Sequence, residues 1–296
     1  MTAVPRATAP SFEPGLALPA LLIEPVVRAA LLEDLGRAGD ITTAAVVSDT
    51  ARASGVIAAR QPGVVAGTDC ALAAFRLVDP AVQVALHHGD GSRIAAGAVI
   101  ATVSGPARAV LTGERVALNF LCQLSGVATA TAGLVDAARG HRARITCTRK
   151  TTPGLRALEK QAVRAGGGIS HRFGLDDGVL IKDNHIVAAG GITVAIERAR
   201  RAVGHMVKIE VEVETLAELK EALAAGVDAV MLDNMAPPML REAVSIIGGR
   251  AISEASGRIT RETVAAVAAT GVDVISAGWI THSAPALDFG LDFQMS

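Results

Sequence analysis

Two clusters of positive side chains stand in the middle of this chain, at spacings that invite an anion. Arg149 and Lys150 lie side by side in "TRKTTPGLR" (148–156), set between threonines and cut off by Pro153 and Gly154; His171 and Arg172 follow in "GGGISHRFG". Lys182 closes the run "GVLIK", and Arg115 stands upstream in "LTGERVALNF". Planar guanidinium groups bind carboxylates and phosphates through two parallel hydrogen bonds, while lysine supplies a compact charge. Two acids, Glu212 and Asp233, end later runs and are of the type that holds Mg²⁺ together with substrate oxygens. The ligand these residues suit is small, rich in carboxylate or phosphate, and accompanied by Mg²⁺.

Taken singly, each has an ordinary explanation. An isolated helical arginine such as Arg115 is usually solvated or salt-bridged. The glycines 166–168 suit a plain turn, "LDN" (232–234) suits a strand ending in one, and His185 suits a structural hydrogen bond as well as catalysis. What unites them is recurrence at one end of successive repeating units.

Those units begin near residue 143. Short β-branched runs, "ARITCT" (143–148), "GVLIK" (178–182), "MVKIEVE" (206–212), "DAVMLD" (228–233), "RAISEA" (250–255) and "VDVISA" (272–277), alternate with helical patterns closed by glycine. The last four runs start about 22 residues apart, the length of one strand, one helix and two short loops. A parallel sheet of βα units follows. Six units fall short of the eight of a complete barrel, and no G-x-G-x-x-G fingerprint opens a βα turn as a dinucleotide fold requires. The expected fold is an α/β protein with an incomplete barrel of six to seven strands, whose strand ends carry the chemistry.

Residues 20–142 have another rhythm. A helix with Pro25 at its start runs to Gly36, and glycine-broken strand patterns fill about 52 to 110, predicting a small sheet-based domain. A long helical stretch rich in small residues (111–140) leads on, suited to close packing against another helix. The glycine-spaced hairpins resemble a lipoyl or biotinyl carrier, but no lysine precedes Lys150, so a carrier is excluded.

Composition narrows the class. The chain has 296 residues, half hydrophobic, 19% charged, with net charge −1, so nothing global suggests nucleic acid or a membrane surface. No run reaches the length of uncharged apolar residues that a membrane span needs. Locally, nine Lys or Arg face three acids between Arg142 and Lys182, whereas ten acids face six bases from His205 to Glu262. A cationic stretch followed by an acidic one suits an anion that brings a metal. Cys70, Cys122 and Cys147 are odd in number and widely spaced, which favours reduced thiols over disulfides or zinc. Residues 1–19 hold four prolines and lack the layout of a secretory signal; they read as a frayed tail, and the protein as cytoplasmic.

The motifs "EDLGRAGDITT", "LTGERVALNFLCQLSGVATAT", "TRKTTPGLR", "GGGISHRFGLDDGVLIKDNH", "IEVEVETLAEL", "VMLDN", "EASG" and "GVDVISAGWITHS", in this order, resemble the quinolinate phosphoribosyltransferase family from residue 20 to the end. The resemblance implies an N-terminal α+β sandwich domain (20–126), an incomplete barrel (127–281), and a segment (282–296) returning to the first domain. It also implies a homodimer in which each first domain caps the partner's barrel.

The implied reaction joins quinolinate to the phosphoribosyl group of phosphoribosyl pyrophosphate and releases pyrophosphate and CO₂, giving nicotinate mononucleotide for NAD synthesis. By the same resemblance, Arg149, Thr148, His171, Arg172 and Lys182 grip quinolinate. Arg115 reaches into the partner's site. Lys150 lies with Lys182 between the acid and pyrophosphate. Glu212 and Asp233 hold the ribose hydroxyls and Mg²⁺, and Ser256, Gly257 and Gly278 bind the 5′-phosphate through backbone N–H groups at helix starts.

Four positions depart from the commonest form of those motifs. Cys147 stands for an aspartate, Ser170 for an asparagine, Arg258 for a glycine and Trp279 for a small residue; the last two bear on the 5′-phosphate pocket. The rival readings are a relative acting on another pyridine or aromatic acid, a Schiff-base aldolase using Lys182 or Lys208, and a binding protein without turnover.

Overall fold

The computed structural model describes residues 17–295, so the proline-bearing segment 1–19 lies almost wholly outside the described residues. In chain order the elements are α1 (Ala20–Leu35), α2 (Ile41–Val46), β1 (Arg52–Ala59), β2 (Gly63–Val64), α3 (Thr68–Val78), β3 (Gln83–Leu86), β4 (Arg93–Ile94), β5 (Val99–Pro106) and α4 (Ala107–Ala137). Then follow β6 (Arg144–Thr146), α5 (Arg156–Ala165), β7 (Val179–Ile181), α6 (Asp183–Ala189), α7 (Ile192–Ala202), β8 (Ile209–Val213), α8 (Leu216–Ala224) and β9 (Ala229–Asp233). The last are α9 (Pro237–Ile247), β10 (Ile252–Ser256), α10 (Val264–Ala268), β11 (Val274–Ser276), α11 (Trp279–His282) and β12 (Phe289–Met295).

The chain divides into two compact units. One runs to Ala130 and includes Pro153–Gly167 and the segment from Ala284 on; the other is Thr131–Thr152 with Gly168–Ser283. The helix α5 thus falls with the first unit although it sits among the barrel units in sequence.

The first unit is built on an antiparallel sheet ordered β12-β1-β5-β3. β12 comes from the end of the chain and pairs with β1 from Ala53↔Met295 to Ala59↔Phe289. Ile23, Val27 and Leu31 recur every fourth residue on α1 and are buried. Pro25 lies inside α1 rather than at its start, where its missing N–H costs one intrahelical hydrogen bond. Asp40 in "GDITT" caps α2 by accepting from Thr43 N at 2.9 Å.

The small residues of α4 permit close approaches both to a helix and to a loop: a Cβ at Gly113 would stand 2.9 Å from Phe75 Cδ1 on α3. A Cβ at Gly126 would stand 2.2 Å from the Pro285 carbonyl oxygen. α4 also corrects the expectation that no stretch matches a membrane span: its most apolar window has mean hydropathy 1.4, and 56% of that window is buried inside the fold. Buried positions such as Ala117, Leu121, Val127 and Leu134 account for that apolarity as core packing.

The second unit carries a parallel sheet in the order β6-β11-β10-β9-β8-β7, each strand falling on one of the six β-branched runs, with β8 and β10 extending one residue beyond theirs. Beside β6, Thr146 forms a parallel bridge with Ile169, which extends the sheet by one isolated contact. Six strands with helical crossovers form an incomplete α/β barrel. Its strands are hydrophobic because both faces are covered: Val211, Val230, Leu232 and Ile275 are all at or near zero exposure.

Candidate active site

The polar residues predicted to do chemistry lie at the carboxyl ends of these strands. Thr148, Arg149 and Lys150 follow β6; Lys182 follows β7; Glu212 is the penultimate residue of β8 and Asp233 ends β9; Ser256 ends β10; Gly278 follows β11. Parallel strands in register bring these ends together at one mouth. Arg115 is the exception, an exposed residue on α4 that belongs to the first compact unit.

Arg172 is held by its own loop. Ile169 N donates to Ile145 O at 2.8 Å, Asp177 accepts from Phe173 N at 2.6 Å and Gly174 N at 2.9 Å, and the Arg172 guanidinium donates to Gly178 O at 2.9 Å. Burial first, and then the nearby Arg149 charge, push the Arg172 guanidinium below its ordinary value. Arg149 itself is half-buried, and its Nε has no hydrogen-bond partner among the described residues. Two guanidinium groups are therefore held near each other with donor capacity to spare. Such a pair calls for an anion carrying two negative groups.

Lys182 is ion-paired with Glu212. His185, weighed as structural or catalytic, accepts from Lys182 N through Nδ1 at 2.9 Å and so serves the first turn of α6. Lys208 lies at the opposite end of β8, paired with Asp228 at 3.2 Å. That position removes it from the strand ends where a barrel aldolase would need its nucleophile.

His171 departs from the expected cluster of cations. Its Nδ1 accepts from Arg172 N at 2.8 Å and its Nε2 lies 3.1 Å from Glu210 Oε2, so both ring nitrogens are engaged within the fold. Glu254 Oε2 stands 3.6 Å from the same Nε2. Burial, then the Glu210 charge, lift the Glu254 carboxyl to about 7. Its Oε1 and the neighbouring Ser276 Oγ lack hydrogen bonds of ordinary geometry, so Ser276 acts on Glu254 only by proximity. Neither Glu210 nor Glu254 was given a role from the sequence. The signal for Glu210 was present, because it lies two residues before Glu212 and so shares its face of β8.

A cavity of about 370 Å³ adjoins this cluster, lined by Thr148, Lys150, Asp233, Ser256, Gly257 and Gly278, and also by Asn234, Arg258, Trp279 and His282. Asn234 was read only as part of the "LDN" strand end, and His282 was given no role. Gly257 is obligatory, since its φ is +99° and a Cβ there would lie 2.3 Å from Asn234 Oδ1. Trp279 stands as a fixed wall, its indole N–H donating to Ile259 O at 2.9 Å. Arg258 adds an exposed cation while holding φ 52°, a left-handed conformation that glycine adopts more readily. The helix-start expectation needs correcting for two residues: only Gly278 precedes a helix, the four-residue α11, whereas α10 begins at Val264, well after Ser256 and Gly257. Cys147 is fully buried, away from solvent, and Ser170 is exposed.

Glu212 and Asp233 offer hard carboxylate oxygens at the ends of adjacent strands, and Asp233 faces the cavity. One or two carboxylates completed by substrate oxygens fit Mg²⁺, which keeps part of its shell for water and phosphate.

Comparison with known proteins agrees with this geometry. The family model "Quinolinate phosphoribosyl transferase, C-terminal domain" matches residues 127–292, and its N-terminal counterpart matches residues 40–125. The chain belongs to the quinolinate phosphoribosyl transferase family. A relative from Bacillus subtilis (strain 168), named probable nicotinate-nucleotide pyrophosphorylase [carboxylating], is 47% identical over 265 residues, covering 90% of this chain and 91% of its own. One from Mycobacterium leprae (strain TN), named nicotinate-nucleotide pyrophosphorylase [carboxylating], is 44% identical over 271 residues, covering 90% and 95%. The solved structure of NadC from Streptococcus pyogenes superposes with a TM-score of 0.91 at 41% identity, covering 95% of this chain and 99% of that one. The family's fold therefore extends across nearly the whole chain.

Proposed function

We propose that this protein is a quinolinate phosphoribosyltransferase. It transfers the phosphoribosyl group of phosphoribosyl pyrophosphate to the ring nitrogen of quinolinate, with loss of CO₂ and pyrophosphate, to form nicotinate mononucleotide. Besides family membership, the observation that carries this reading is the pair of neighbouring guanidinium groups, Arg149 and Arg172, which matches a pyridine bearing two adjacent carboxylates.

The residues act by holding and neutralising. Arg149 and Arg172 grip the two carboxylates, and Thr148 borders the adjoining cavity where the sugar phosphate sits. Lys150, exposed at the same cavity, and Lys182 balance the charge that builds on departing pyrophosphate. Ser256, Gly257 and Gly278 present backbone to the 5′-phosphate, and Arg258 adds charge there. Glu212 and Asp233 would hold ribose hydroxyls and, with substrate oxygens, Mg²⁺, which when bound would supply Lewis-acid stabilisation to the leaving group. No protein nucleophile is needed: orientation of two bound anions brings ring nitrogen and anomeric carbon together. Once that nitrogen carries a positive charge, it stabilises the carbanion left when CO₂ departs, and that carbon then takes up a proton from solvent to give nicotinate mononucleotide. The Schiff-base reading is disfavoured because Lys182 Nζ is engaged with Glu212, whereas an imine requires a free amine.

The active form is a homodimer in the cytoplasm, with Arg115 completing the partner's site. The deciding experiment mixes the protein with quinolinate, phosphoribosyl pyrophosphate and Mg²⁺ and follows nicotinate mononucleotide and CO₂. Equal turnover of nicotinate or another monoacid would move the substrate to the rival pyridine class, and binding without product would leave a binding protein.

A further inference from the structure

His171 has neighbours that dictate where its proton sits. A backbone N–H can only donate, so the Arg172 nitrogen 2.8 Å from Nδ1 requires a lone pair on Nδ1. The ring proton is then on Nε2, directed at Glu210 Oε2 at 3.1 Å. Glu254 Oε2, at 3.6 Å, is beyond hydrogen-bond reach and flanks that contact. The three side chains are almost shut off from solvent, at 12%, 12% and 6% exposure.

This tautomer decides between two uses of the trio. A histidine and two carboxyl groups whose donor atoms all lie within 4.8 Å of one another have the makings of a divalent metal site. A metal at Nε2, however, needs the proton on Nδ1, where it would face the Arg172 N–H head on. An imidazolium meets the same clash. The ring is thus neutral, with its two nitrogens committed to Glu210 and to the backbone of Arg172. A neutral ring also tolerates Glu254 as an uncharged acid beside it, which fits the dry surroundings of that carboxyl.

We infer that Glu210 is a positioning residue that locks His171 in its Nε2–H form, so that Nδ1 fixes the Arg172 backbone and the Arg172 guanidinium is aimed at its carboxylate. The other anchor of that side chain is its bond to Gly178 O at 2.9 Å. Between the two, Arg172 is set before substrate arrives. The idea rests on Arg172 being a carboxylate binder, as proposed above.

The test combines spectra and kinetics on the full-length protein. With ¹⁵N-labelled histidine and His171 assigned by its loss in His171→Gln, long-range ¹H–¹⁵N spectra without substrate should show a single Nε2–H tautomer near neutral pH. Glu210→Leu should spread that signal into mixed tautomers and raise KM for quinolinate about tenfold or more, a loss of ~1.4 kcal/mol or more of binding. Its kcat and its KM for phosphoribosyl pyrophosphate should stay within about threefold. Glu210→Gln, whose amide oxygen still accepts, should restore both readouts. An Nδ1–H or imidazolium form in the unaltered protein overturns the inference, as does Glu210→Leu with tautomer and KM unchanged, or a Gln variant no better than Leu. Should Glu210→Leu fail to fold, the spectrum of the unaltered protein and the Gln variant still decide. Because the tautomer is read without substrate, it stands or falls separately from the assignment of quinolinate.

Discussion

Arg149 and Arg172 stand close enough that the charge of one, after burial, helps push the guanidinium of the other below its ordinary value. Asp177 and Glu210 offset that repulsion only in part, so an anion between the two guanidinium groups would complete the site.

Arg149→Ala and Arg172→Ala should therefore each cut kcat/KM for quinolinate by roughly a hundredfold or more, from loss of a charge-assisted bidentate contact worth about 3 kcal/mol. Arg149→Gln should leave the thermal midpoint of the unliganded protein unchanged or raised, since a repulsion is removed. A midpoint that falls by several degrees would show that the two guanidinium groups serve the fold and not a ligand.

Glu254 sets a pH dependence of stability. Its folded pKa, about 7, is raised above the ordinary carboxyl value of 4.5, so the folded state holds a proton that the unfolded chain has released. Its contribution is present below the unfolded value and is lost as pH rises through the folded one. Glu254→Gln keeps the shape without the ionisation. Its unfolding free energy should exceed that of the unaltered protein at pH 8, by an amount on the order of a few kcal/mol at most, and the gap should close toward pH 5. Midpoints recorded across that range check the sign.

Gly257→Ala should damage the phosphate end of the site. With φ at +99° and Asn234 Oδ1 2.3 Å from the new Cβ, either the loop or Asn234 must move. The expected result is a loss of about 1–3 kcal/mol in stability, accompanied by a higher KM for phosphoribosyl pyrophosphate and an unchanged KM for quinolinate.

Arg258→Gly should separate stability from binding in the opposite direction. Glycine relieves a left-handed residue of up to roughly 1 kcal/mol, while removing a cation from the cavity wall. Denaturation and steady-state kinetics should report a protein at least as stable, with weaker use of phosphoribosyl pyrophosphate.

Arg115→Ala and Arg149→Ala should each be inactive alone, yet regain activity when refolded together. If Arg115 serves the partner's site, half of randomly mixed dimers carry one intact site of two, or about a quarter of full activity. Mixtures that stay inactive would confine Arg115 to its own chain.

The barrel strands were legible because their burial is local and repetitive. Runs such as "DAVMLD" are covered on both faces, so they read as continuous apolar stretches ending in a polar residue at the mouth, and β9 follows that pattern to Asp233. Order along the chain also placed Lys182, Glu212 and Gly278 at strand ends. The placement of Pro25 was misread because tertiary packing of Ile23, Val27 and Leu31 carries α1 through a residue that weakens it locally.

What the amino-acid order determined by itself is the set of strands, their common direction, and the types of residue at their ends, since each depends on neighbours a few positions away. What only the tertiary structure decided is which of those residues face one another. Glu210 and Glu254 lie on strands separated by β9, yet both reach the ring of His171 from a loop before β7. That convergence depends on barrel curvature, and the proton position it imposes on His171 depends on a single backbone N–H, neither of which leaves a periodic trace in sequence.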